Sequence, residues 1–321
     1  MPMAERQLAL AGTMSHAGAM LPFARVTIIG IGLIGSSIAR AVRVEMPTVR
    51  LTGYDADSEV RATADRLQLF DDVTDTAGAA VIDADLVIFC VPVGAMGAAA
   101  AEIAADLPAD AIVSDVGSCK AEVVRALTEA LPGATVIPAH PVAGTERSGP
   151  EAGFATLFHG RWCIVTPPEG ADPVATERVS EFWRRLGADI EIMAPDHHDR
   201  VLAITSHLPH LIAYTIVGTA SDMEEVTRSE VIKYSAGGFR DFTRIAASDP
   251  TMWRDVFLAN REAVLDMLQR FSEDLSALQR AIRWGKGDEL FDLFSRTRAI
   301  RRGIIEQGQD DPAPDFGRTH D

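Results

Sequence analysis

The chain has 321 residues, 47% of them hydrophobic, enough to bury two separate cores. Its 46 acidic and 30 basic residues give a formal net charge of −16, which excludes the basic surface field that nucleic acid or an anionic membrane requires. The three cysteines, Cys90, Cys119 and Cys163, show no C-x-x-C spacing, so neither a disulfide framework nor a zinc site is expected and a reducing cytoplasm fits.

In chain order, residues 1–23 are expected to form a flexible extension, because no basic cluster precedes an uninterrupted apolar stretch. Met14 and Met20 are alternative starts. No later window reaches 18 uncharged apolar residues, so a soluble protein is expected. From Arg25 the run VTIIGIGLIGSSIARAVR reads as a β-branched strand, glycines at 30, 32 and 35, and a small-residue helix. In this G-x-G-x-x-G pattern Gly30 permits a tight turn, Gly32 leaves room for a pyrophosphate and Gly35 lets helix and strand approach closely. The helix N-terminus then faces the phosphates. A second strand, LTGYDAD, ends at Asp55, twenty residues after Gly35. A carboxylate there accepts the ribose 2′-hydroxyl of NAD and repels the 2′-phosphate of NADP, so NAD is the expected cofactor.

Further apolar runs alternate with helical stretches: DLVIFCVPVGAM (85–96), AIVSDVGSCK (111–120) and ATVIPAHP (134–141), then RWCIVTP (161–167) and DIEIM (189–193) around an amphipathic helix. This α/β alternation predicts a doubly wound parallel sheet, a Rossmann-type dinucleotide-binding domain over residues 24–195. Ligands of such sheets sit beyond the C-terminal strand ends, where Ser118 and His140 are both expected. Leu33 and Ile34 inside the fingerprint, with Val91 and Pro92 after the third strand, complete the expected cofactor-binding set.

After Pro195 the apolar period lengthens to about 3.6, predicting an all-α domain over residues 196–305. Its middle stretch, WRDVFLANREAVLDMLQRFSEDLSALQRAI, reads as one long amphipathic helix suited to packing between helices or subunits, so a homodimer is expected. The polar, proline-containing end, residues 306–321, reads as a disordered tail. Within the helical half YSAGGFRDFTRIAASDPTMW (234–253) gathers Arg240, Asp241 and Arg244. Arg240 fits a solvated ion pair. Arg244 fits a buried guanidinium beside a cleft, able to grip a carboxylate through two parallel bonds. His197 and His198 in D-H-H-D read as surface residues at a helix start. His210 is either a core histidine or a substrate contact. His207 and His210 share a helical face, but Pro209 intervenes, no H-E-x-x-H is present, and NAD chemistry needs no metal, so none is expected.

Taken together, G30-x-G-L-I-G-S, D115-V-G-S-C-K, H140-P-V-A-G-T-E-R-S-G, S206-H-L-P-H and G237-G-F-R-D-F-T-R-I-A-A-S-D-P-T-M-W resemble the prephenate/arogenate (cyclohexadienyl) dehydrogenase family of tyrosine biosynthesis, over about residues 24–300. The resemblance implies a Rossmann domain joined to an all-α dimerisation domain with the active site in the cleft between them. It implies an oxidative decarboxylation, in which hydride leaves C4 of a cyclohexadienol ring for NAD⁺ while the ring carboxylate departs as CO₂. By the same resemblance His140 is the catalytic histidine that accepts the hydrogen bond of the C4 hydroxyl, and Ser118 helps to fix it. Arg244 is implied to bind a substrate carboxylate, His210, Thr145 and Gly237 to line the pocket, and Trp253 to line the ring site. Glu146, Asp199 and Asp241 match acidic residues at the cleft entrance.

No chorismate mutase domain is expected before residue 24 and no ACT domain after the long helix, so tyrosine feedback would act at the active site. The motifs leave prephenate, L-arogenate or both as substrate. Two other readings compete. A 3-hydroxyacid-type dehydrogenase would use a lysine, and Lys233 lacks the G-x-x-x-N setting. A non-enzymatic NAD-binding sensor would be favoured by loss of His140 or Arg244, and both are present.

Overall fold

The computed structural model describes residues 21–145, 147–222 and 237–306. The expected extension before Leu21, the gate residue Glu146, Lys233 and the tail after Glu306 lie outside the described residues. The first part of the chain alternates strand and helix as the apolar runs predict: β1 (Arg25–Ile29), α1 (Leu33–Glu45), β2 (Arg50–Tyr54), α2 (Ser58–Arg66), β3 (Asp72–Val73), α3 (Ala77–Val81), β4 (Leu86–Phe89), α4 (Met96–Ile103), β5 (Ile112–Asp115), α5 (Ala121–Ala130) and β6 (Thr135–Val136). Each strand returns through a helix, so all neighbours are parallel, in the order β3-β2-β1-β4-β5-β6. That is the doubly wound order with its switch point between β1 and β4.

The period-2 alternation of strands decides which side chains meet which layer. Val26 and Ile28 of β1, with Leu86 and Ile88 of β4, join a core that includes Ile38 and Val42 of α1. Ile29, Val87 and Phe89 point to the opposite core, with Ala100 of α4 and Leu127 of α5. Both faces are therefore covered, which is why these strands read as continuous apolar runs.

The stretch 134–141, expected as one strand of the parallel sheet, divides. Only Thr135–Val136 pair with β5; Ala139–Pro141 form β7, antiparallel to β8 (Trp162–Val165), with His140 opposite Ile164. β9 (Asp189–Ile192) then pairs parallel with β8, so the last two expected strands belong to a separate three-stranded sheet. Pro138 sits at the break; it cannot donate a ladder hydrogen bond, but its carbonyl accepts from Thr166 N at 2.9 Å. α6 (Pro173–Arg185) covers this sheet with Val179, Phe182 and Trp183 in the same core as α1.

By compactness the chain divides into units of residues 1–264 and 265–321. In the first unit, α7 (Pro195–Leu202) runs through a π turn (Ala203–His207) into α8 (Leu208–Asp222), followed by α9 (Gly237–Thr243), a 3₁₀ turn (Arg244–Ala247) and α10 (Pro250–Ala259). Pro195–Asp222 is apolar and long enough to cross a membrane by length and composition, but its His198, Asp199 and His207 are buried in polar contacts. The expected long helix after Trp253 is two helices: α10 stops at Asn260, and α11 (Arg261–Arg283) starts immediately after it. In the second unit the rest of α11 and α12 (Gly287–Glu306) expose Leu275, Ile282, Phe291, Phe294 and Ile300.

Candidate active site

The glycine fingerprint folds as its spacing requires. Gly30 has φ +96°, a region costly for side-chain-bearing residues, and a Cβ there would lie 2.7 Å from the Cys90 carbonyl oxygen. A Cβ on Gly35 would collide with the Gly30 carbonyl, whereas one on Gly32 would meet nothing within 4 Å. The open space is thus at Gly32, at the N-terminus of α1. No side chain caps that terminus, leaving Leu33, Ile34 and Gly35 to offer the first helical N–H groups. Asp55 follows β2, one oxygen accepting from Ile31 N at 2.7 Å and the other from Asp57 N at 3.0 Å. Each oxygen retains a lone pair for a ribose hydroxyl. Val91 and Pro92 follow β4 at the same edge, half-buried and exposed respectively. An uncapped helix start, space at Gly32 and a carboxylate on the next strand fit a dinucleotide.

His140 is held on β7 with 8% of its surface exposed. Its Nδ1 lies 2.8 Å from His198 Nε2, and His198 Nδ1 lies 2.8 Å from Asp199 Oδ1. Asp199 in turn accepts the backbone N–H groups of Lys120 at 2.7 Å and Ala121 at 2.9 Å, capping the start of α5. Burial tends to raise the Asp199 pKa, but His198 and these two N–H donors outweigh it and keep the carboxyl below its usual range. Burial, then the neighbouring His198, Lys120 and His207, pushes His140 well below its ordinary 6.5. Burial also lowers His198, against the opposing pull of Asp199. At neutral pH His140 is therefore an uncharged imidazole.

Two buried polar residues brace this line. Lys120 is fully buried; its Nζ pairs with Asp115 Oδ2 at 2.5 Å and donates to the Ala139 carbonyl at 2.7 Å, tying the end of β5 to the residue before His140. Asn260, at the break between α10 and α11, donates to the Asp199 carbonyl at 2.8 Å and contacts His207 Nδ1 at 3.1 Å. The loop after His140 returns to α1: Phe154 N donates to Ser37 Oγ at 3.1 Å, and Gly153 packs so closely that a Cβ would collide with Ser36 Oγ. The segment at Gly153 and Phe154 that follows His140 is thus anchored to the first helix of the cofactor cradle.

The remaining expected residues divide into a buried and an exposed group. Ser118, between β5 and α5, is half-buried; its hydroxyl adjoins Cys119 and its carbonyl faces His207. The side chain hydrogen-bonded to His140 is His198, where Ser118 had been expected. His210 stacks on Trp253 with centroids 3.7 Å apart, and its Nδ1 lies 2.9 Å from the Ser206 carbonyl. Burial lowers the His210 pKa, with Arg244 nearby adding to the effect. Trp253 is buried, packing with Val256 against Cys119. Arg244 itself is exposed, contrary to the expected buried guanidinium. Thr145 is exposed as well, its Oγ1 accepting from Arg147 N at 3.2 Å. Gly237 opens α9, and Asp241 on it is exposed beside Arg240, at 3.9 Å.

Two further expectations are corrected. His198 is not a surface residue but wholly buried, whereas His197 is exposed. Asp199 is not at a cleft entrance; it is a buried acceptor for the α5 terminus and for His198. Sequence reasoning also passed over Lys120 and Asn260. A lysine just after D-V-G-S-C, flanked by small and apolar residues, was the available signal for the first. Nothing local marked the second.

Residues 38–192 match the family model described as prephenate dehydrogenase, nucleotide-binding domain, and residues 194–296 the one described as prephenate dehydrogenase, dimerization domain. The chain is 45% identical over 285 residues to the cyclohexadienyl dehydrogenase of Zymomonas mobilis, covering 89% of this chain and 97% of that one. It is 32% identical over 281 residues to the prephenate dehydrogenase of Bacillus subtilis, covering 87% and 76%. Among solved structures, it resembles the Aquifex aeolicus prephenate dehydrogenase in complex with hydroxyphenyl propionate and NAD⁺, with TM-score 0.82 and 34% identity over 89% of this chain and 99% of that one. The doubly wound domain, the helical partner and these matches together establish that the chain belongs to the prephenate dehydrogenase family.

Proposed function

We propose that the chain catalyses the NAD-dependent oxidative decarboxylation of prephenate, L-arogenate or both, giving 4-hydroxyphenylpyruvate or L-tyrosine. The observation that carries this reading is a buried, neutral His140 followed by a segment anchored to the first helix of the dinucleotide cradle. NAD, held by the Gly30–Gly35 turn, the α1 terminus and Asp55, would supply the hydride acceptor. Asp55 favours NAD over NADP because a carboxylate pairs with ribose hydroxyls and repels a 2′-phosphate.

The protein's own groups divide the remaining work. His140 accepts the hydrogen bond of the substrate's ring hydroxyl as the C–O bond gains carbonyl character, a task for which a neutral imidazole is suited. Ser118, half-buried at the adjoining strand end, supports that hydroxyl. The stacked His210 and Trp253 form an apolar wall for the ring that excludes water. Arg244, close enough to perturb His210, grips a substrate carboxylate. Thr145, Gly237 and Asp241 line the outer pocket. Because aromatisation on loss of CO₂ drives the reaction, orientation and polarisation suffice.

The exposed apolar side chains of α11 and α12 support a homodimer through the helical region. Free cysteines and an acidic surface support a cytoplasmic enzyme acting on a small molecule, with no nucleic-acid or membrane partner. The assay is NADH formation by purified protein given NAD⁺ with prephenate and L-arogenate separately. Turnover with either substrate supports the reading and names the substrate; none with both rejects it.

A further inference from the structure

We propose that His198 and Asp199 form a positioning pair that fixes the catalytic histidine, His140, in the tautomer carrying its proton on Nδ1, so that the Nε2 lone pair faces substrate. This rests on the reading of His140 given above and deepens it. The line Asp199 Oδ1, His198 Nδ1, His198 Nε2, His140 Nδ1 contains two contacts of 2.8 Å each, and their polarity follows from its fixed end. Asp199 accepts two backbone N–H groups, so its carboxylate is ionised and can only accept. His198 must then carry its proton on Nδ1 and, being neutral, has a lone pair on Nε2. A lone pair 2.8 Å from His140 Nδ1 requires a proton on that nitrogen. The opposite tautomer of His140 would set two lone pairs against each other. The remaining arrangement, a charged His198 donating to His140, is opposed by the complete burial of the His198 ring, which disfavours its charged form.

The pair also defines how charge is handled. As His140 takes up positive character from the substrate hydroxyl, its Nδ1–H bond to His198 becomes charge-assisted, and the Asp199 carboxylate stabilises both rings. Lys120, Asp115 and His207 face the same pocket from the residue before α5, the end of β5 and the π turn. The Lys120 charge is already neutralised by Asp115 at 2.5 Å, which leaves Asp199 as the anion directed at the histidines. Asn260, donating to the Asp199 carbonyl, holds the carboxylate's own backbone in place.

Two measurements on the full chain test this. In protein labelled with ¹⁵N-histidine, long-range ¹H–¹⁵N spectra assigned with a His140→Asn variant read each ring's tautomer without substrate. The proposal requires Nδ1–H on both His140 and His198 in the wild type. A proton on Nε2 of His140, or a charged His198 ring at neutral pH, overturns it, whatever the enzyme turns over. The second measurement is kinetic. His198→Phe retains a ring but removes the acceptor, and should lower kcat by roughly 10- to 100-fold with KM little changed, as outer hydrogen-bond partners of catalytic groups commonly do. His198→Gln, whose amide oxygen can accept from His140, should recover much of that loss. Equal losses in Phe and Gln variants that fold, as judged by an unchanged NADH Kd, would show that the residue only fills space. A correct wild-type tautomer without turnover would reject the enzyme reading and leave the positioning pair standing.

Discussion

The two ends of the candidate site are built on opposite principles. At one end His140, His198, Asp199 and Lys120 are buried, and the fold supplies partners to His140 Nδ1, His198, Asp199 and Lys120. At the other, Thr145 on the loop after β7, Asp241 on α9 and Arg244 on the 3₁₀ turn that follows it are exposed. Burial makes electrostatics strong and desolvation costly, so the first end sets protonation and geometry before substrate arrives. The exposed end keeps its charged groups in contact with solvent, where their interactions are weaker. One end is therefore suited to lowering the barrier and the other to selecting and capturing an anion.

Variants that break this contrast should separate stability, binding and catalysis. The largest expected effect is on folding: Lys120→Met leaves Asp115 as an uncompensated buried charge and should cost about 3–5 kcal/mol in denaturant unfolding. A loss below about 1 kcal/mol would show that Asp115 is not held ionised by the pair. At the exposed end, Arg244→Gln should raise KM roughly 10- to 100-fold while kcat changes little, because two charge-assisted bonds to a carboxylate are lost. A fall in kcat at constant KM would move Arg244 to the chemical end.

The buried end also predicts how stability varies with pH. His140, His198 and His207 all have folded pKa values below 6.5, His207 at about 4. Above pH 6.5 neither state is protonated and the stability is fully present. Below it the unfolded chain takes up protons that the folded chain refuses, so stability falls by about 1.4 kcal/mol per pH unit for each group until its folded pKa is reached. Thermal melts from pH 7.5 to 4.5 should show this slope, and a flat Tm would mean that the histidines are solvated. The smallest effect concerns the cofactor: Asp55→Ser should narrow the preference for NAD⁺ over NADP⁺ in kcat/KM, and an enzyme already favouring NADP⁺ would refute the ribose argument.

The parts of the molecule that could be read in advance are those whose causes are local. The glycine turn needs only neighbours in sequence, and the apolar runs of β1, β2, β4 and β5 announce a sheet covered on both faces. The two-residue β3, and the division of 134–141 into β6 and β7, depend on which distant strand offers a partner, and β8 lies more than twenty residues further along. His198 was misjudged for the same reason. D-H-H-D looks solvated, and its burial becomes affordable only through N–H groups of Lys120 and Ala121, 79 and 78 residues away, and Asn260, 61 residues away. Arg244 was expected to be buried because a guanidinium gripping a carboxylate was placed beside a cleft on charge grounds, and charge does not reveal exposure: the residue is exposed.

The central claim is that the chemistry resides in His140 while binding resides elsewhere, and the steady-state kinetics of His140→Asn test it most directly. The account predicts a kcat lower by about two orders of magnitude or more, with KM within a few-fold of wild type. Equal kcat in the variant and the wild type would contradict it.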